Sequence, residues 1–267
     1  MRKLILMLVA VFVITTSIQV TTAAASADAQ WLDTANINNG TVGVKYDVKS
    51  NVKTKVMVAK GKDNYTYTLA SSSEEVFPLQ LGNGDYTISI LENTTGNKYK
   101  VVSKEVVSLK LNDTKVVFLN SVQNVKWSNT NKAIQKAKEL TANKKSDADK
   151  VKAIYDYIIK TVDYDYDLAN NLPTEYLPSI DRTLSTKKDI CYGYSALFAA
   201  MLRSVDIPTK LVMGNSTYVT QYHAWNEVFL DGKWVTIDTT VDAGLKKSNK
   251  KFELVKEASK YTTAKVY

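Results

Sequence analysis

From about Gly40 to Leu119 the chain alternates apolar and polar positions with period two. Val42, Val44, Tyr46 and Val48 open the pattern. Short runs follow at Lys55–Ala59, Tyr65–Leu69, Val76–Leu81, Tyr86–Leu91, Tyr99–Val102, Val106–Leu111 and Lys115–Leu119. Turn-rich segments, Gly82-Asn83-Gly84-Asp85 and Asn93–Asn97, separate some of them. Half-buried strands at this spacing predict an all-β sandwich of immunoglobulin-like type. No residue pattern in this region points to chemistry, so a spacer or binding module is its expected role.

Across Ser121–Asn131 the periodicity changes. Ala133–Leu140 predicts a short helix. Ser146, with Asp149 three residues on, predicts the start of a second, whose apolar face is Val151, Ile154, Tyr155, Ile158, Ile159 and Val162. Tyr194–Val205 reads as a further helix, ended before Pro208. Leu211–Gly214, Ala224–Leu230 and Trp234–Ile237 then read as strands. Asp231-Gly232 predicts a two-residue hairpin turn between the last two. The expected whole is α+β: an all-β sandwich over residues 28–122, then a domain over 123–267 with helices first and an antiparallel sheet after.

The first residues bear on the compartment. Arg2 and Lys3 precede the apolar run Leu4–Ile14, and Ala25-Ser26-Ala27 follows. This is the pattern of a secretory signal peptide over residues 1–27, cut after Ala27. A bilayer span needs roughly 20 apolar residues, more than this run provides. The expectation is a protein released outside the cell or held at its wall, without stable membrane insertion after cleavage. Loss of Arg2 and Lys3 takes the net charge from +8 to +6, because residues 1–27 contain no acid. The lysines are scattered and form no nucleic-acid motif, so nucleic acid is not an expected partner. An anionic cell-wall surface is. The Lys-, Asn- and Tyr-rich, cysteine-poor composition points to a bacterial source.

The chain has one Cys and one His, so an exported form has no internal disulfide and a thiol that calls for a role. A thiol is nucleophilic as thiolate, which a helix N-terminus or a cationic neighbour favours. Cys191 lies just before the helix read from Tyr194, and Gly193 allows close backbone approach there. With Asp231-Gly232 as the turn, Leu230 faces Lys233, Trp225 faces Asp238 and His223 faces Thr240. His223 and Asp238 then share one face as diagonal neighbours, roughly 7–8 Å apart along the backbone. One imidazole nitrogen can meet the carboxylate while the other meets a thiol. Taken singly, Cys191 also fits an inert small hydrophobe and His223 a structural group. Together with Asp238 they favour a catalytic triad. Tyr192 and Trp225, beside the thiol and on the histidine strand, are candidate substrate-binding residues.

Lys188-Asp189-Ile190-Cys191-Tyr192-Gly193-Tyr194-Ser195-Ala196-Leu197-Phe198, then Ile207-Pro208 and Val212-Met213-Gly214, resembles the cysteine segment of the transglutaminase-like superfamily. His223-Ala224-Trp225-Asn226-Glu227-Val228 and Gly232–Thr240 resemble its histidine and aspartate segments. The resemblance covers Val151 to Asp242. It implies a papain-like α+β domain in which Cys191 forms a thioester, His223 is the base and Asp238 orients it. It also implies an aromatic donor to the oxyanion, for which Tyr164 is the candidate. Tyr164 and Tyr166 equally fit simple packing at a helix end. Asp189 and Asp206 stand where many relatives have glycine, which bears on turn geometry.

Asp163, Asp165 and Asp167 imitate the start of a calcium loop, but Leu168 holds its glycine position and Thr174 its final acidic position. One Cys and one His make a structural zinc site improbable. No metal or cofactor is expected. The function implied is acyl transfer from a protein or peptide amide to an amine or to water, the latter making a thiol peptidase. The alternative is a non-catalytic cell-surface binding protein.

Overall fold

The computed structural model describes residues 31–267. The expected signal peptide and its cleavage point lie outside the described residues. The N-terminal region is all-β. β1 (Leu32–Asp33), β2 (Thr41–Val44), β3 (Thr54–Lys60), β4 (Asp63–Leu69), β5 (Glu75–Pro78), β6 (Gly84–Asn93) and β7 (Tyr99–Leu109) form two antiparallel sheets, ordered β1-β2-β5 and β4-β3-β6-β7. Val42, Val44 and Phe77 from the first sheet share one core with Val56, Tyr67, Tyr86 and Ile88 from the second. The region is therefore a two-sheet sandwich, consistent with an immunoglobulin-like domain.

Two expectations change here. The runs Tyr99–Val102 and Val106–Leu111 belong to one long edge strand. Of Ser103-Lys104-Glu105 between them, Lys104 is exposed and the other two are half-buried, and all three pair with β6, so this polar stretch makes no turn. Lys115–Leu119 is a 3-10 helix, because the Asp113 side chain accepts from the backbone N–H of Lys115 at 2.9 Å and starts a turn.

Residues 132–267 supply α1 (Lys132–Thr141), α2 (Asp147–Thr161), β8 (Asp163–Tyr164), α3 (Tyr166–Asn170), α4 (Ile180–Thr186), β9 (Lys188–Asp189), α5 (Cys191–Arg203), β10 (Thr209–Ser216), β11 (Val219–Leu230), β12 (Lys233–Ile237), α6 (Thr239–Lys247) and β13 (Tyr261–Val266). Ser146 caps α2 by accepting from the Asp149 N–H at 3.1 Å. The apolar stripe of α2 packs on α5, whose residues from Tyr194 to Leu202 are all buried. An antiparallel sheet ordered β12-β11-β10-β13 covers the other side of α5. The domain is thus mixed α and β, built around one central helix. Among the described residues no helix is long and apolar enough to cross a membrane.

Arg203 ends α5 and is 2 % exposed. Its guanidinium donates to the carbonyls of Thr209 (2.9 Å), Asn120 (2.7 Å) and Tyr267 (2.9 Å). It thereby ties the interdomain linker and the last residue to the sheet. Arg203→Met keeps the bulk and removes a charged donor from all three carbonyls, of which Tyr267 keeps the Leu211 N–H at 2.9 Å. A loss of about 3 kcal/mol or more is expected, read from the urea midpoint. A loss below about 1 kcal/mol would show that these carbonyls do not depend on the guanidinium.

Candidate active site

The hairpin that carries the histidine has the expected register. Asp231 (φ 49°) and Gly232 (φ 79°) both adopt positive φ, as a type I′ turn requires. Leu230 pairs with Lys233 and the ladder runs to Asn226 opposite Ile237. Beyond that point Asp238 leaves the strand and becomes the N-cap of α6. Its Oδ1 accepts from the Val241 N–H at 3.0 Å, and its Oδ2 meets His223 Nε2 at 2.8 Å. The expectation that Thr240 faces His223 across the hairpin is corrected. The cap at Asp238 starts a helix, so Thr240 lies in its first turn.

Cys191 is the first residue of α5, three residues earlier than the helix read from sequence. It therefore sits at the positive end of the helix dipole itself. Asp189, fully buried, anchors this end. Its carboxylate accepts from Tyr176 Oη (2.6 Å), Arg182 Nη2 (2.8 Å), Thr183 Oγ1 (2.6 Å) and the Ile190 N–H (2.8 Å). A Cβ on Gly193 would lie 1.9 Å from the Asp189 Cγ. The glycine thus makes room for the carboxylate. Asp206, the other departure from the family pattern, adopts φ 65°, a left-handed conformation that glycine favours.

His223 lies between the two groups. It is 4 % exposed, hydrogen-bonds Asp238, and lies close enough to the Cys191 side chain for the thiol to act on its pKa. Because Nε2 faces Asp238, Nδ1 is the nitrogen left for the thiol. Burial lowers the imidazole pKa, but the bonds and charges of Asp238 and Cys191 outweigh it and raise the value to about 10. At neutral pH the ring is an imidazolium. Since the folded value lies above the ordinary 6.5, the charge contributes stability that is whole below about pH 6.5 and fades as pH rises through about 10.

Tyr164 enters the site because β8 pairs in parallel with β9, setting Tyr164 beside Asp189 and within electrostatic reach of Cys191. The substrate-binding expectations for Tyr192 and Trp225 are corrected. Trp225 is 1 % exposed and stacks on the His223 ring, with centroids 6.3 Å apart, so it supports the imidazole from within. The Tyr192 hydroxyl is taken by Asn124 Nδ2 at 2.8 Å, and neither residue lines the cleft. Sequence reasoning missed Tyr261, whose hydroxyl donates to Asp238 Oδ2 at 3.0 Å. The β-prone residues Tyr261, Thr262, Thr263 and Val266 were the available signal for its strand.

Cys191 and His223 open onto a cleft of about 720 Å³ whose walls include Tyr164, Tyr166, Tyr218 and Lys247. A hollow of about 680 Å³ at Asn215–Gln221 contains neither Cys191 nor His223. Two of the three aspartates beside the cleft have structural partners. Asp165 caps α3 by accepting from the Leu168 N–H at 2.9 Å, and Asp163 pairs with Lys247 at 3.1 Å.

Residues 134–239 match the family model of the transglutaminase-like superfamily, so this stretch is a transglutaminase-like domain. Over 110 residues the chain is 34% identical to kyphoscoliosis peptidase of Mus musculus, covering 38% of this chain. The match spans 16% of that relative's length. A solved structure of a TGase shares 28% identity over 41% of this chain and 30% of its own, with a TM-score of 0.33. A candidate cysteine protease from Cytophaga hutchinsonii shares 15% identity over 85% of this chain and 75% of its own, with a TM-score of 0.47.

With one histidine in the chain, its ring nitrogens can be followed by NMR without ambiguity. In the wild type the imidazole should stay protonated through neutrality and titrate near 10. Asp238→Asn keeps a capping side chain and removes the charge, so the midpoint should fall toward 6.5. A wild-type midpoint already near 6.5 would mean that the carboxylate does not hold the ring.

Proposed function

We propose that the chain is a thiol enzyme that cleaves protein or peptide amides through a thioester on Cys191 and passes the acyl group to an amine or to water. The observation that carries this reading is the placement of His223, bonded to Asp238 and lining one cleft with Cys191, whose side chain acts on its pKa. The thiolate attacks the amide carbonyl, the C–N bond breaks, and the leaving amine takes a proton from the His223 imidazolium. The neutral imidazole then removes a proton from the incoming amine or water as it attacks the thioester. Collapse of that adduct restores the thiolate and the imidazolium. Asp238 keeps the ring oriented and stabilises its charge throughout. The Tyr164 hydroxyl, within electrostatic reach of Cys191, and the Cys191 backbone N–H are the donors proposed for the developing oxyanion.

The name of the mouse relative, a peptidase, favours water as acceptor over the matched region. The basic start and short apolar run of residues 1–27 support export. The excess of lysine supports attraction to an anionic wall.

Incubating the protein with casein and a labelled primary amine separates the outcomes. Incorporated label identifies a transferase, ammonia without label a deamidase, and new termini a peptidase. Cys191→Ala should remove whichever product appears. Product formed equally by Cys191→Ala, or none with any amide tested, contradicts the thioester route.

A further inference from the structure

β13 is the outer strand of the sheet, and it lies beyond the region matched by the family model. Its pairing with β10 slips by one residue between Met213 and Gly214: Met213 faces Lys265, whereas Gly214 faces Thr263. Ala264 is therefore the extra residue of a bulge. The slip decides which side chain points where. With it, Tyr261 faces Ser216 and shares the sheet face of His223 and Trp225; without it, Tyr261 would turn to the opposite face. The ring accordingly packs 4.9 Å from Trp225 and 5.8 Å from Tyr218.

A second observation concerns Gly214, which faces His223 on one side and β13 on the other. A Cβ there would lie 2.0 Å from the Thr262 carbonyl oxygen. Only glycine lets β13 approach β10 this closely beside His223. The sandwich holds the far end of β13 in turn. Tyr65 Oη accepts from the Val266 N–H at 3.1 Å, Gln80 Nε2 donates to the Val266 carbonyl at 3.3 Å, and Lys265 Nζ donates to the Asn64 carbonyl at 3.1 Å.

We propose that Tyr261 is a positioning residue of the triad, which fixes the plane of the Asp238 carboxylate and moderates its pull on His223. The proposal rests on the triad reading of the site. Asp238 Oδ2 receives two donors, His223 Nε2 and Tyr261 Oη, at 2.8 and 3.0 Å. Burial, and then the charge of Asp238 and the hydrogen bond to it, raise the phenol pKa well above its usual value. The hydroxyl therefore stays protonated and can only donate to the carboxylate. A donor on Oδ2 draws off charge that would otherwise fall on the imidazolium.

The test compares Tyr261→Phe with wild type at neutral pH. The Nε2–H proton of His223, unmistakable in a chain with one histidine, should move downfield as the carboxylate becomes the stronger acceptor. Turnover of casein with a labelled amine should lose about tenfold in kcat, with KM nearly unchanged. An unmoved proton and unchanged kcat in the folded variant overturn the proposal. If Tyr261→Phe does not fold, wild-type protein with fluorotyrosine in place of tyrosine keeps the question open to measurement. Its more acidic hydroxyl should move the same proton upfield, and no movement overturns the proposal. A wild-type His223 lacking a hydrogen-bonded Nε2–H would instead defeat the triad reading beneath it.

Discussion

The carboxylate of Asp238 joins three elements at one point. Oδ1 caps α6, while Oδ2 takes the His223 imidazole from β11 and the Tyr261 hydroxyl from β13. It is fully buried, and a buried carboxylate is tolerated only with its lone pairs engaged. Each donor therefore contributes to the stability of the others' arrangement. The same demand fixes where β12 ends, since capping a helix requires the chain to leave the strand at Asp238. Asp242 continues the pattern one turn along α6, pairing with Lys256 Nζ at 2.6 Å and accepting from Tyr155 Oη at 2.7 Å. The helix that presents Asp238 is thus bound to α2 and to the segment beside β12.

Cys191 is held by a parallel device on the other side of the cleft. Asp189 collects four donors below the start of α5, and Gly193 admits it by having no side chain. The proposed nucleophile and base thus come from separate elements, each fixed by a buried aspartate. Such rigid support is what a proposed thioester chemistry needs, because small misplacements of reacting groups are costly in rate.

Much of this was legible in sequence wherever a local rule governs. The Asp231-Gly232 turn fixed the hairpin register, and alternation then put His223 and Asp238 on one face. Ser146 marked a helix start for the same local reason. What sequence could not show depended on distant partners. The helix starts at Cys191 because Asp189 is buried and satisfied by Tyr176, Arg182 and Thr183, none of which a local pattern connects to it. Trp225 and Tyr192, near His223 and Cys191 in the chain, point into packing and do not line the cleft. Val116 and Val117 read as strand until Asp113 captured the Lys115 N–H. β13 was missed because its partner is β10, more than forty residues earlier, with no hairpin turn to announce it.

The account of the site stands or falls on whether Asp238 and His223 act as one unit with Cys191. The direct measurement is turnover of Asp238→Asn, His223→Ala and the double variant, with melting curves to confirm folding. Asn can still cap α6, so the helix is retained while the charge is lost. Expected is a small remainder for Asp238→Asn and none for His223→Ala. The double variant should be no worse than His223→Ala, because a unit is lost once. Near wild-type turnover in folded Asp238→Asn would contradict the triad and the register that assembles it.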